Sequence, residues 1–191
     1  MGHVTMPAGP SAGELLVATA AHGGGYFKQS VIYLLDADES GALGVVLNRL
    51  APADLEEVLP QWSELVSPPR VLFAGGPVSP NGAVCVARLL NPHEDPPGWR
   101  RVRGDIGLLH LDTPVEIAEG AYSDLRIFAG YAGWEAGQLE GEMLQGSWHR
   151  FPSTEADVFG SDQEDLWRRV LRRQGGETAW YSTWTEDPEL N

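Results

Sequence analysis

Residues 126–142 read Arg-Ile-Phe-Ala-Gly-Tyr-Ala-Gly-Trp-Glu-Ala-Gly-Gln-Leu-Glu-Gly-Glu, and the fold turns on where extended chain gives way to helix within them. After Arg126 the first residues are β-branched, aromatic or small, which suits a buried strand, and Gly130 and Gly133 punctuate the run as turn residues do. The pattern predicts a strand that stops there. A short helix is predicted from Trp134 onward, because Leu139 and Met143 stand four apart and Trp134, Gln138 and Glu142 make a second such row. Gly133, Gly137 and Gly141 share that spacing, and each interior glycine costs a helix about 1 kcal/mol relative to alanine. Either close helix-on-sheet packing or a ligand-facing groove would offset the cost.

Upstream, residues 14–18 read as a first short strand and 30–35 as an apolar run suited to a strand covered on both faces. Residues 43–47 form its hairpin partner across a polar connection of moderate length, 36–41. Asp54 opens one or two helical turns over 54–59, and Trp62 docks on the core. Strands follow at 71–74, 83–89 and 106–111, with His110 expected to be packed. The stretch 91–104 is rich in proline, charge and glycine and is predicted as a mobile loop carrying Arg100, Arg101 and Arg103. Thr113 is placed to cap a helix that Gly120 closes.

Downstream of the central stretch, 147–151 reads as an edge strand and 153–159 as a helical turn. The last helix is predicted over 162–173, with Ser161 and Glu164 as a capping box and Leu166, Trp167, Val170 and Leu171 as its apolar stripe. Arg168 and Arg169 stand four residues after Glu164 and Asp165, a spacing that favours ion pairs, and Gly175 ends the helix. Residues 13–176 thus make one domain, flanked by tails at 1–12 and 177–191. Interspersed strands and helices argue for an α+β fold.

Gly-Tyr-Ala-Gly-Trp at 130–134, followed by Gly-Gln-Leu-Glu-Gly-Glu at 137–142, resembles the central signature of the AlgH/YqgE-type family of small bacterial proteins. The stretches 13–18, 30–34, 41–49 and 73–78 extend the resemblance over most of the chain. It implies a strongly bent mixed sheet approaching a pseudo-barrel. It also carries the label of transcriptional regulator, without a defined chemistry. Where the family reads Leu-Asn-Arg-Pro, this chain has Leu50 at the proline position and Pro52 two residues later, which implies a different loop path.

The formal net charge of −14 opposes phosphate backbones, so direct nucleic-acid binding is not expected, and a regulatory role would run through a protein partner. No apolar run is long enough for a membrane helix and no leader pattern opens the chain, which reads as cytoplasmic. The lone cysteine, Cys85, reads as a core residue. His3, His22, His93, His110 and His149 are scattered, so no metal and no cofactor is expected. No nucleophile elbow, phosphate loop or dinucleotide fingerprint occurs.

Three turn regions are the candidate ligand-binding residues. They are Asn48 and Arg49 at a strand exit, Gly75 and Gly76 with free N–H groups, and the corner from Tyr131 to Trp134. Arg126, Gln138 and Glu140 are candidates for further polar contacts. This reading makes the chain a module binding a small molecule or a protein. The alternative is an enzyme acting on a small anion, with Glu140 or Glu142 as acid or base and Arg49 or Arg126 stabilising charge. Oligomeric state is not legible in the chain.

Overall fold

The computed structural model describes residues 8–20 and 25–183. The strands are β1 (Glu14–Ala18), β2 (Val31–Asp38), β3 (Gly41–Val46), β4 (Phe73–Ala74), β5 (Val78–Leu89), β6 (Trp99–Arg103), β7 (Ile106–Leu109), β8 (Tyr122–Glu135) and β9 (Trp148–Pro152). They form one sheet in the order β6-β7-β5-β8-β3-β2-β1-β9, antiparallel except where β4 lies parallel against β8. Among the described residues six α-helices accompany it: α1 (Leu55–Val58), α2 (Val115–Ala118), α3 (Gln138–Leu144), α4 (Glu155–Phe159), α5 (Leu166–Gln174) and α6 (Gly176–Trp180).

Alternation along the strands divides the apolar side chains among three clusters. Leu15, Val17, Tyr33, Leu35, Val45, Val86 and Phe128 face the inside of the curl, where Val158, Phe159, Leu166, Trp167, Val170 and Leu171 of α4 and α5 fill it. Outside one half, Leu16, Ile32, Leu34 and Val46 pack with Trp134, Leu139 and Trp148. Outside the other half, Cys85, Ala87, Leu89, Leu125 and Ile127 are covered by Leu55, Trp62, Val66 and Ala118. Each fully buried large aliphatic side chain contributes about 1.5–3 kcal/mol. The sheet bends far enough that a Cβ on Gly13, just before β1, would lie 2.3 Å from the Arg103 side chain at the end of β6.

β8 does not stop at Gly130 or Gly133 as the sequence suggested; it runs fourteen residues to Glu135. Gly130 takes φ +73, and around it the register with β5 shifts between Val78 and Ala83. The extra half-step reverses which face each later residue occupies. Leu125 and Ile127 thus serve one outer cluster, and Ala132 and Trp134 the other. A single strand thereby belongs to both halves, pairing with β5 and β4 first and with β3 from Ala132 onward.

The glycine row is therefore not a helix face. Gly133 lies in β8, Gly137 is the left-handed cap of α3 at φ +78, and a Cβ on Gly137 or Gly141 would meet nothing within 4 Å. Gly141→Ala is expected to stabilise the protein by about 0.5–1 kcal/mol through helix propensity. A thermal melt checks the sign, and a loss of stability would mean that Gly141 has a contact outside the described chain.

Other expectations change as well. Residues 91–104 are not all loop: Trp99–Arg103 pairs with β7 as the sheet's edge strand, anchored by the buried Trp99 ring, whose indole N–H donates to the Ala87 carbonyl at 3.1 Å. His110 is not packed; its side chain is 72% exposed, with Nδ1 3.5 Å from Asp112. α2 has Pro114 at its cap and no side-chain cap from Thr113. The β2–β3 connection is short, because the strands themselves extend to Asp38 and from Gly41.

α5 begins at Leu166 without a side-chain cap, so Ser161 and Glu164 belong to the connection before it. Its arginines pair elsewhere than predicted. Arg169 lies 3.7 Å from Asp162, and Arg173 makes two 2.9 Å bonds to the buried Asp157, whose carboxylate also closes the Thr154 capping box of α4. Arg168 donates to the Ser182 carbonyl, tying α5 to the one-turn 3₁₀ helix Tyr181–Thr183. His3, His22, Gly23, Trp184 and the outer parts of both expected tails lie outside the described residues.

Candidate functional site

β3 leaves the sheet at Val46, and the next residues run beside β4. The Ala74 N–H donates to the Arg49 carbonyl, the Val46 N–H to the Gly75 carbonyl, and the Gly75 N–H to Ala129 in β8. A Cβ on Gly75 would stand 2.3 Å from the Gly130 carbonyl oxygen, and one on Gly76 would stand 2.1 Å from the Tyr131 carbonyl. Asn48–Arg49, Gly75–Gly76 and Tyr131 are thus brought together. The glycines serve close approach of backbones, and the Gly75 N–H is committed to the sheet rather than turned toward a ligand.

Asn48 is committed too. Its Oδ1 accepts from the Val31 N–H at 3.0 Å and its Nδ2 donates to the Gln29 carbonyl at 2.8 Å, which fixes the chain leading into β2. Arg49 differs. Its half-buried guanidinium lies 4.6 Å from the centre of the Tyr26 ring and donates once, to the Lys28 carbonyl at 3.1 Å. It makes no ion pair among the described residues.

Arg49 borders a cavity of about 460 Å³, lined also by Asn48, Leu50, Pro69 and Phe73 on one side and by Ser161, Asp162, Gln163 and Glu164 on the other. The second wall is the connection between α4 and α5. Gln163 is only 4% exposed; its Nε2 donates to the Asp157 carbonyl at 2.8 Å, which leaves its Oε1 buried and without a partner. In the sequence this wall is only a polar run between two helices, in which Ser161 and Glu164 read as a capping box.

Arg126 stands behind the cavity, not in it. The guanidinium is 1% exposed, packs 4.5 Å from the centre of the Phe73 ring, and donates to the carbonyls of Val158 (2.9 Å), Gly160 (2.9 Å) and Pro68 (2.8 Å). Burial pulls its pKa down to about 10, against the opposing effect of Asp124, so it remains charged at neutral pH. Its role is to join β8 to the end of α4 and to the segment before β4.

Trp134, Gln138 and Glu140 lie elsewhere. The Trp134 and Trp148 indole N–H groups both donate to Glu142 Oε2, at 2.9 and 2.8 Å, and Gln138 Nε2 donates to Oε1 at 3.2 Å. The four-apart row Trp134–Gln138–Glu142 therefore meets in space, although Trp134 is in a strand. Glu142 is the hub of an aromatic cluster with Phe27, and Glu140 is exposed on α3, away from the cavity. Glu142→Ala is expected to cost about 2–3 kcal/mol, since it removes a charged acceptor from two buried indoles. Urea unfolding followed by tryptophan fluorescence checks this, and a loss below about 0.5 kcal/mol would show that solvent replaces the carboxylate.

A second cleft of about 630 Å³ beside β5 and β7 is lined by the exposed Arg100, His110 and Asp112 and by the buried Cys85. Among the described residues no group of three or more His, Cys, Asp or Glu is placed to hold a metal ion, and no helix is long and apolar enough to cross a membrane.

Comparison with known proteins agrees with this architecture. A protein of Streptomyces avermitilis described as UPF0301 is 48% identical over 182 residues, which is 94% of each chain. A crystal structure from Corynebacterium diphtheriae superposes with a TM-score of 0.86 at 29% identity, covering 94% of this chain and 95% of that one. The solution structure of the AlgH protein from Pseudomonas aeruginosa gives 0.68 at 26% identity, over 96% of this chain and all of that one. The family described as DUF179, AlgH-like, matches residues 15–179, the span from the start of β1 into α6, and the chain belongs to that family.

Proposed function

We propose that the protein is a binding module for a small acidic ligand, held in the cavity between the β3 exit and the α4–α5 connection. The observation that carries this reading is Arg49. A half-buried guanidinium, braced by an aromatic face and one carbonyl, borders a cavity of about 460 Å³ without a carboxylate partner among the described residues. Such a fork matches a carboxylate or phosphate on a ligand. The volume lies within the range of small-molecule pockets, about 300–1,000 Å³.

The enzyme alternative loses support from the same geometry. Glu142 is held by two indoles and an amide, Glu140 is remote from Arg49, and Arg126 is occupied by three carbonyls. Any regulatory output would then follow from ligand binding and pass to a protein partner.

A thermal-shift screen against several hundred acidic metabolites tests the reading, run in parallel on the wild type and Arg49→Ala. A ligand at 100 times its Kd should stabilise the wild type by about 2.7 kcal/mol, and the variant should lose at least tenfold in affinity. A ligand that shifts both proteins equally would place binding elsewhere.

A further inference from the structure

β6 is the last strand in the sheet order, so among the described residues one of its two edges has no strand beside it. The His110 N–H donates to the Gly98 carbonyl at 2.8 Å, which makes this a hydrogen-bonded pair and sets the alternation along the ladder. Trp99 and Arg101, opposite Leu109 and Gly107, then fall at positions whose backbone groups turn away from β7. The Trp99 N–H is taken by the Pro96 carbonyl at 3.3 Å. The Trp99 carbonyl and both backbone groups of Arg101 are left on the open edge, which ends where Gly13 meets the stem of Arg103.

The side chains along this edge are positive. Arg70, Arg88, Arg150, Arg169 and Arg173 each pair with a carboxylate. Arg100, Arg101 and Arg103 are exposed and have no carboxylate partner among the described residues, although the chain carries 27 acidic residues against 13 basic ones. Arg101 lies 5.0 Å from the centre of the Trp99 ring and donates to the Gly104 carbonyl. Arg100 stands on the opposite face of the strand. It borders the cleft of about 630 Å³, where the half-buried Leu59, Val84, Leu108 and Leu111 offer apolar surface.

A second copy of the chain is a poor occupant, because two β6 edges side by side would set arginine against arginine. The same row favours a strand of opposite sign. Successive side chains of a strand point to opposite faces, so two consecutive acidic residues would meet Arg100 on one face and Arg101 on the other. We infer that the β6 edge docks an extended acidic segment of a partner protein. The segment adds a strand to the sheet through the free backbone groups of Trp99 and Arg101, sets an acidic doublet against Arg100 and Arg101, and lays a neighbouring apolar side chain in the cleft. This surface is separate from the Arg49 cavity and stands without it.

An NMR titration of the isotope-labelled full chain tests the inference. The probe is the blocked hexapeptide acetyl-Leu-Thr-Glu-Glu-Val-Thr-amide. It is compared with a Gln-Gln form, a Lys-Lys form, and forms N-methylated at alternate residues in both registers, which keep the charge and lose the edge N–H groups. The parent peptide should shift the backbone amides of Arg100, Arg101 and Val102, and the Gln-Gln and N-methylated forms should bind about tenfold more weakly. The double variant Arg100→Glu/Arg101→Glu should lose the parent peptide and bind the Lys-Lys form, with its amide spectrum unchanged away from β6.

Equal binding of the Gln-Gln form would show that the arginines do not select the partner, and equal binding of the N-methylated forms would show that the segment does not add as a strand. Either result overturns the inference. So does the absence of any shift in β6 at millimolar peptide, or an RNA oligonucleotide that moves the same amides at about 0.15 M salt where the peptide does not.

Discussion

Arg126→Met should destabilise the protein by about 3–5 kcal/mol, the largest effect expected of any polar residue in the chain. Methionine keeps most of the aliphatic stem that packs beside Phe73, so the loss is in the hydrogen bonds. The carbonyls of Val158, Gly160 and Pro68 would lose a charged donor, and that of Val158 is buried. Arg126→Lys should recover only part of this, because one ammonium cannot follow the planar fork to three carbonyls. Urea denaturation is the measurement, with a lower midpoint at an unchanged slope. A change under about 1 kcal/mol, or a selective loss of ligand affinity at full stability, would return Arg126 to the binding site from which the geometry removes it.

Gly76→Ala is expected to be nearly as damaging, costing at least about 3 kcal/mol. The added methyl would sit 2.1 Å from the Tyr131 carbonyl carbon and oxygen, and the obstacle is backbone within the sheet, so no side-chain rotation relieves it. For a chain of this size that corresponds to a fall in melting temperature of roughly 6–12 °C. A melt within about 2 °C of the wild type would mean that β8 yields at Tyr131 and that the contact is not rigid. Set beside Gly141→Ala, expected to stabilise, the pair separates glycines required by crowding from glycines that the sequence pattern alone makes conspicuous.

Much of the sheet was legible because its strands alternate or run apolar. β1, the β2–β3 hairpin and β9 at the edge follow from that pattern, as does the docked Trp62, which is buried. The failures have physical reasons. Gly130 and Gly133 read as stops, yet a glycine at positive φ can bulge a strand and let it continue, and a single sequence does not distinguish these uses. β6 was hidden because three of its five residues are arginines facing solvent, and only Trp99 and its pairing with β7 make it a strand.

Arg126 shares its parity with Phe128, so period-two alternation did place it inside the curl; its charge suggested a polar contact to a ligand instead. The candidate site was half legible. Asn48 and Arg49 marked one wall by residue type, whereas the wall from Ser161 to Glu164 is about 110 positions away in sequence and arrives only through the packing of α4 and α5. Nothing local in those four residues announces it.

The pairing of β1 with β9 has a consequence for how the chain is made. Arg150 and Glu14 meet across 136 residues of sequence, and the Trp167 indole reaches the Ala18 carbonyl across 149. On a ribosome moving at about 5–20 residues per second, β1 waits on the order of ten seconds or more for its outer neighbour to be synthesised. For that interval the nascent protein carries an open strand edge, able to pair with another chain. Folding of this family member is therefore limited by contacts distant in sequence, and chaperone dependence should be greatest during synthesis rather than after release.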